Sequence, residues 1–305
     1  MYDIVIVGAG TAGLSAAIYG VRAGKSVLVL EEKNYRGQIV NSPHIENYPG
    51  ISHISGYEFS KQLYDQAMFL GAEYKQKKVL RIEEGEHLKK IYVKDAFGKE
   101  TCYSSKTVIV ATGAKNRTLG LDKEQKFIGA GVSYCATCDG MFFRNRDVAV
   151  VGGGNTALED AMFLSNYCTK VYVIHRRNQF RGEEKLAEAL GEKENVTFLF
   201  DSVVTELQGD TFLEGIGIKN LLTEKESQLS VSGLFVAIGH QPDNEAFVNC
   251  LQLDESGYIV AKEDCKTNTP GIYAAGDCRT KQVRQLTTAA SDGAVAALMA
   301  CEYMG

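Results

Sequence analysis

The chain has 305 residues, 45% apolar and 23% charged, the size and make-up of about two ordinary soluble domains of ~150 residues each. Its 38 acids against 33 bases give a net charge of -5 without a long basic run, which argues against nucleic acid and anionic membrane as partners. No apolar run approaches the ~20 residues of a membrane span, Ile4–Val7 is too short for a secretory signal, and eight cysteines are too sparse for a disulfide scaffold, so a soluble protein of a reducing, cytoplasmic compartment is expected.

Asp3 to Val7 is a short β-branched run that reads as a buried parallel strand. It leads into Gly8-Ala9-Gly10-Thr11-Ala12-Gly13, a helical pattern from Leu14 to about Ala23, a second strand Val27–Leu30 and then Glu31. This is the GxGxxG fingerprint in its required context of strand, turn, helix, strand and acid. Gly8 permits the tight turn, Gly10 lets a pyrophosphate approach the backbone, and Gly13 lets helix pack on strand. The helix start at Thr11 and Ala12 faces the phosphates. Glu31 suits a free ribose hydroxyl.

Arg36-Gly37-Gln38 and Glu46-Asn47-Tyr48-Pro49-Gly50 follow in a loop-rich segment. An amphipathic helix is expected from Phe59 to Phe69, with Phe59, Leu63, Ala67 and Leu70 on one side. Thr107 to Thr112 reads as a strand ending in the small-residue turn Gly113-Ala114, counted with the first nucleotide site. Cys135-Ala136-Thr137-Cys138-Asp139-Gly140 then places two thiols where they can close a small disulfide, with an acid directly after the second. The same spacing serves half of a zinc site, but there is no second CxxC and the five histidines are scattered. No metal is expected at the dithiol. Met141-Phe142-Phe143, next to it, reads either as a docking patch or as core.

From Asp147 the chain repeats itself. Asp147–Val151, Gly152-Gly153-Gly154-Asn155-Thr156-Ala157 and the strand Val171–Ile174 each lie 144 positions after their counterparts, as Asp3 and Asp147, Gly8 and Gly152, and Val27 and Val171 show. Gly152, Gly154, Asn155 and Thr156 are the expected contacts of a second nucleotide. The copies differ at the end of the second strand. Glu31 maps onto His175, followed by Arg176, Arg177 and then Arg181. Guanidinium groups there suit a 2′-phosphate, so the first unit should take FAD or NAD and the second NADP(H). Leu234 to Gly239 echoes the 107–113 strand.

The strand Gly271–Ala275 carries Asp277 at its tip, and a small-residue helix is expected from about Thr287 to Tyr303. Coming after the second unit, this tail should return to complete the first. The expected fold is three-layer α/β, two Rossmann-like dinucleotide-binding domains with the second inserted into the first. The first domain is drawn at 1–118 and 248–305, and the second, with its CxxC, at 119–247.

Taken together, these motifs resemble the low-molecular-weight thioredoxin reductases over essentially the whole chain. CATCDG at 135–140 carries most of the resemblance, with GGGNTA at 152–157, His175-Arg176-Arg177 and Arg181, AAGD at 274–277 and Arg284-Gln285. The resemblance implies FAD in the first domain, NADPH in the second, a homodimer, and thioredoxin as the disulfide substrate. It implies that Cys138 faces the flavin, that Cys135 attacks thioredoxin and that Asp139 handles protons. Flavin contacts carry over to Gly37, Gln38, Asn47, Asp277, Arg284 and Gln285. Three positions depart from the family pattern. Arg36 stands in place of a second glycine, Cys278 in place of an aliphatic residue, and Ser291-Asp292-Gly293 in place of Gly-acid-Gly.

The chemistry so read is a two-electron relay from NADPH through FAD and the Cys135–Cys138 disulfide to thioredoxin. Since dithiol and nicotinamide site share one domain and one flavin, that domain should rotate between half-reactions. Its hinges are expected near 115–119 and 239–244. The rivals are three. The reductase of a peroxidase system carries an extra N-terminal redox domain, whereas this chain begins at its first nucleotide strand. A ferredoxin-linked flavin reductase is opposed by the intact second fingerprint and its arginines. A flavin redox sensor without turnover is the third.

Overall fold

The strand Tyr2–Val7 is flanked on both sides, by Val27–Glu31 and by Glu100–Val110, and both pairings are parallel. The side chains of Ile4 to Val7 therefore alternate between two buried faces, as a β-branched run without polar positions requires. Ile4 and Ile6 pack with Leu14, Ala16 and Ala17 of the helix Thr11–Arg22. Val5 and Val7 pack on the other face with Leu28, Ile82 and Ile91. Each such side chain, fully buried, contributes roughly 1.5–3 kcal/mol.

This computed structural model describes residues 1–33, 37–85 and 87–305, and the chain in it divides into two compact units. The first comprises Met1–Lys115 and Gln241–Gly305. Its sheet runs in the order Glu73–Gln76, Val27–Glu31, Tyr2–Val7, Glu100–Val110, Lys89–Lys94, Lys78–Glu84, and Ile272–Ala274 pairs with the end of Glu100–Val110. The last two strands on the path are antiparallel and were not expected. Their Lys and Glu residues obscure the alternating buried positions Val79, Ile82, Ile91 and Val93.

The expected helix near Phe59 begins at Gly56, because Ser55 and Glu58 form a capping box. It runs to Phe69, with Phe59 and Ala67 buried. The C-terminal helix, Leu286–Met304, lies against Thr11–Arg22 through small residues. A Cβ on Gly293 would stand 2.1 Å from the Ala12 carbonyl oxygen, so only glycine permits that approach. Ser15 closes the contact by donating to the Ala290 carbonyl at 2.7 Å.

The second unit, Asn116–His240, holds an all-parallel sheet. Its order is Val196–Leu199, Lys170–Ile174, Asp147–Gly152, Gly233–Ala237, Val132–Ser133. A separate antiparallel sheet of Ser202–Gln208, Gly215–Asn220 and Glu226–Leu229 covers part of it and was not foreseen. Asp147–Gly152 lies between its second strand and a late strand just as Tyr2–Val7 does. The internal repeat is thus a repeat of topology. Where the sequence reading draws 119–247, the compact unit runs 116–240. Phe247 is buried among Val5, Leu28 and Ile82, and Asn244 donates to the carbonyls of Gly257 and Cys278, which ties 241–247 to the first unit.

Candidate functional site

Cys135 and Cys138 are joined by a disulfide, with Cα atoms 5.3 Å apart. Cys135 caps the one-turn helix Ala136–Asp139, and its carbonyl accepts from the N–H groups of Cys138 and Asp139 at 3.2 and 3.1 Å. Cys138 is exposed and Cys135 half-buried. Gly140 seats the turn on the helix Asn155–Leu164, for a Cβ there would lie 2.5 Å from the Tyr167 hydroxyl and 2.9 Å from Leu164. Asp139 accepts a hydrogen bond from the Ser133 hydroxyl at 2.7 Å, and that hydroxyl also accepts from the Cys135 N–H at 3.1 Å. Ser133 thus fixes the acid relative to the dithiol. Nothing in the sequence marked it, since it lies on a strand of only two residues. Of the apolar residues that follow, Met141 and Phe142 are exposed, whereas Phe143 packs edge-on against Phe235.

The first glycine turn has one open position and two closed ones. A Cβ on Gly8 would stand 2.3 Å from the Ala111 carbonyl oxygen, and one on Gly13 1.9 Å from the Gly8 carbonyl oxygen. Around Gly10 there is nothing within 4 Å, which leaves room for a phosphate beside the helix start at Thr11 and Ala12. Glu31 lies at the same turn, accepting from the N–H of Ala9 at 2.9 Å and of Lys33 at 3.1 Å.

The other expected flavin contacts come from distant parts of the first unit. Gly37, in the left-handed region at φ 57°, brings its Cβ position to 3.2 Å from the Gly10 Cα. Gln38 begins the short helix Gln38–Asn41, while Arg36 lies outside the described residues. Gly113, at φ 71°, has open space around it. Asn47 donates to Gln285 at 3.2 Å across 238 residues. Arg284 stacks over the Tyr258 ring at 4.2 Å. Gly276 packs its turn onto Ala12, which brings Asp277 to the glycine turn. Burial pushes the Asp277 carboxyl up against the pull of Lys281 and Arg284, and its Oδ1 is buried without a partner among the described residues. An orphaned acceptor beside an open glycine cradle fits the hydroxyls and pyrophosphate of FAD.

That turn is held by a cluster that sequence reading missed. Asp292, 6% exposed, accepts from the Gly276 N–H at 2.9 Å, from Arg279 at 2.8 and 2.9 Å and from Lys281 at 2.8 Å. Burial raises its carboxyl, but the bonds from Arg279 and Lys281 outweigh that and hold it below the ordinary range. A helical period was the available signal, because Asp292 shares the buried face of Ala289 and Ala296. Cys278 is fully buried, with its thiol directed at the carbonyls of Val110 and Ala275, and burial pushes it up to about 11. It packs as a small apolar residue.

The second glycine turn copies the first. A Cβ on Gly152 would stand 2.4 Å from the Ala237 carbonyl oxygen, and Gly154 again has nothing within 4 Å. Asn155 and Thr156 open the following helix, and Asn155 accepts from the Glu183 N–H at 2.8 Å. His175 lies beneath the turn, where a Cβ on Gly153 would be 2.2 Å from its ring. Burial lowers its affinity for a proton, the three arginines add to this, and Nε2 is buried without a partner among the described residues. Arg176, Arg177 and Arg181 are exposed, and none has an ion-pair partner among the described residues. The Arg181 N–H donates to the Gly153 carbonyl at 2.6 Å, tying this cationic loop to the turn. An open cradle with three uncompensated guanidinium groups fits NADP(H).

On the same helix Asp160 has its carboxyl pushed up to about 7, first by burial and then by Glu159. A group with a raised folded pKa binds more protons in the native state, so its contribution to stability falls as pH rises from 3.8 to about 7. Asp160→Asn should therefore stabilise the protein at pH 8 by roughly 1–3 kcal/mol and change little near pH 4, as thermal unfolding at both pH values will show.

The profile of the family "Pyridine nucleotide-disulphide oxidoreductase" matches residues 2–293. The thioredoxin reductase of Listeria monocytogenes is 40% identical over 305 residues, covering 100% of this chain and 94% of that protein. That of Bacillus subtilis is 37% identical, covering 100% and 95%. The crystal structure of thioredoxin reductase from Streptococcus pyogenes superposes with a TM-score of 0.94 at 39% identity, covering 100% of this chain and 98% of that one.

Proposed function

Because the chain belongs to the pyridine nucleotide-disulphide oxidoreductases and, within them, to the thioredoxin reductases, we propose that it carries electrons from NADPH through FAD and the Cys135–Cys138 disulfide to thioredoxin. It is an NADPH-dependent disulfide oxidoreductase of two Rossmann-like domains, and its cofactors are FAD and NADPH. The observation that carries the reading is the disulfide itself, formed on the unit that also holds a glycine cradle and three exposed guanidinium groups. The test is an assay of NADPH oxidation against a panel of disulfide proteins. Thioredoxin should be turned over, and failure with every thioredoxin would refute the reading.

In this scheme Gly8, Gly10, Thr11, Ala12, Gly13, Glu31, Gly37, Gln38, Asn47, Gly113, Asp277, Arg284 and Gln285 hold FAD, which when bound takes hydride from NADPH and passes two electrons on. Gly152, Gly154, Asn155, Thr156, His175 and the three arginines hold NADPH. Cys138 is the flavin-facing sulfur and Cys135 the nucleophile toward thioredoxin. The Cys135 thiolate attacks one sulfur of the partner disulfide, forming a mixed disulfide and releasing the first partner thiolate. Cys138 then attacks Cys135 Sγ, which restores the internal disulfide and releases the second. Asp139, positioned by Ser133, holds the proton that the departing sulfur needs. Met141 and Phe142 offer the apolar contact for the partner protein. The same reading makes the chain a homodimer in the cytoplasm. A monomer in analytical ultracentrifugation contradicts the first point.

Coenzyme preference has its own test. Replacing Arg176 and Arg177 together by Ala should raise KM for NADPH roughly tenfold or more and leave NADH kinetics nearly unchanged, because binding to the extra phosphate is what is lost. Equal damage with both coenzymes contradicts the assignment.

The dithiol and the nicotinamide site belong to one unit, and both must reach one flavin in turn. The unit therefore rotates during turnover about its two chain crossings, Ala114–Asn116 and His240–Pro242, which pair as a two-stranded ladder. Gly239, at φ 101° with open space around it, adjoins the second crossing. Cysteines engineered to lock one arrangement should stop turnover until the cross-link is reduced, and full activity while locked contradicts the rotation.

A further inference from the structure

The hairpin that begins at His44 and ends at Ser55 carries a side-chain cluster with no part in the relay. Ile45 and Ile54 exchange both backbone hydrogen bonds, at 2.8 and 3.1 Å, and their side chains are buried with Phe59. His44 and Glu46 flank Ile45, His53 precedes Ile54, and all three side chains are exposed. There His53 Nδ1 is 3.1 Å from Glu46 Oε1, and His53 Nε2 is 3.3 Å from His44 Nδ1. A carboxylate that accepts from Nδ1 fixes the His53 tautomer and leaves the Nε2 lone pair directed at His44.

We propose that His44 Nδ1 and His53 Nε2 bind a divalent cation of the zinc class in place of the proton they share, with Glu46 holding the His53 ring. Tetrahedral zinc with Zn–N bonds of about 2.0–2.1 Å separates neighbouring nitrogens by roughly 3.3 Å. The two rings already stand at that spacing, on a base fixed by the buried isoleucines. Imidazole nitrogens select zinc and copper over magnesium and calcium. Glu46 is bonded to the His53 ring, so water completes the coordination. The carboxylate–histidine–metal arrangement is the one that raises ligand basicity and orients the ring. The same hairpin carries Asn47, bonded to Gln285, so the cation braces a segment that presents a flavin contact.

Calorimetric titration of ZnCl2 into the FAD-loaded, oxidised protein tests this, because Cys135 and Cys138 are then joined and offer no thiolate. One zinc per chain should bind at micromolar concentration, and MgCl2 should give no binding heat. His44→Asn and His53→Asn should each weaken zinc binding more than about tenfold, and Glu46→Gln about tenfold. Flavin absorbance and zinc-free turnover should match the parent in all three variants, since these side chains are exposed. Zinc affinity unchanged in both histidine variants would place the cation elsewhere, on the exposed Cys102 for example, and overturn the proposal. Absence of binding by the parent protein overturns it equally.

Discussion

Cys135→Ser and Cys138→Ser should each bring thioredoxin-dependent NADPH oxidation down to the uncatalysed background while the flavin is still bleached by NADPH. The expectation follows from the order of the steps. Hydride leaves NADPH before either sulfur acts, so the first half-reaction does not need the dithiol. Thiol–disulfide exchange needs both sulfurs, one to form the mixed disulfide and one to resolve it. Each variant keeps one sulfur of the pair, and one sulfur cannot do both. Four of the remaining cysteines cannot substitute, because Cys168, Cys250, Cys265 and Cys278 are buried and their thiols are pushed up to about 11 or 12 by burial. Substantial thioredoxin reduction by Cys135→Ser would put the exchange on some other sulfur.

The second large effect separates two glycines three residues apart. Gly13→Ala should cost the protein more than about 3 kcal/mol, since its Cβ would stand 1.9 Å from the Gly8 carbonyl oxygen and neither backbone segment can withdraw. Gly10→Ala should leave the FAD-free protein as stable as the parent. Its φ of -77° suits any residue, and nothing lies within 4 Å of the added carbon. That open volume is where the pyrophosphate is proposed to approach, so FAD affinity should fall roughly 100-fold or more. Thermal unfolding without FAD and flavin titration with it measure the two effects separately. Tight FAD binding by Gly10→Ala would move the pyrophosphate away from this turn.

Gly8, Gly13 and Gly152 were legible because they are sterically forced. Gly8 and Gly152 face the carbonyl oxygens of Ala111 and Ala237 at 2.3 and 2.4 Å, so the same constraint writes the same letters 144 positions apart. The dithiol was legible because its chemistry needs two sulfurs at one spacing. What escaped was set by long-range packing. The antiparallel strands Lys78–Glu84 and Lys89–Lys94 are too rich in charge on their exposed faces to read as strands from pattern alone. Asp292 looked like a variation within a small-residue helix, and only the fold shows it gathering Arg279, Lys281 and the Gly276 N–H under the Asp277 turn. The histidines looked scattered, yet a hydrogen-bonded isoleucine pair brings His44 and His53 into contact.

The central claim is that electrons pass through the Cys135–Cys138 pair on the way from NADPH to a protein disulfide. An anaerobic stopped-flow experiment tests it most directly, mixing the FAD-loaded protein with NADPH and then with oxidised thioredoxin while the flavin absorbance is followed. The account predicts bleaching on the first mixing and full recovery of the oxidised spectrum on the second, with recovery lost in Cys135→Ser. Recovery at the parent rate in that variant, or a bleached flavin that thioredoxin leaves unchanged in the parent, would contradict it.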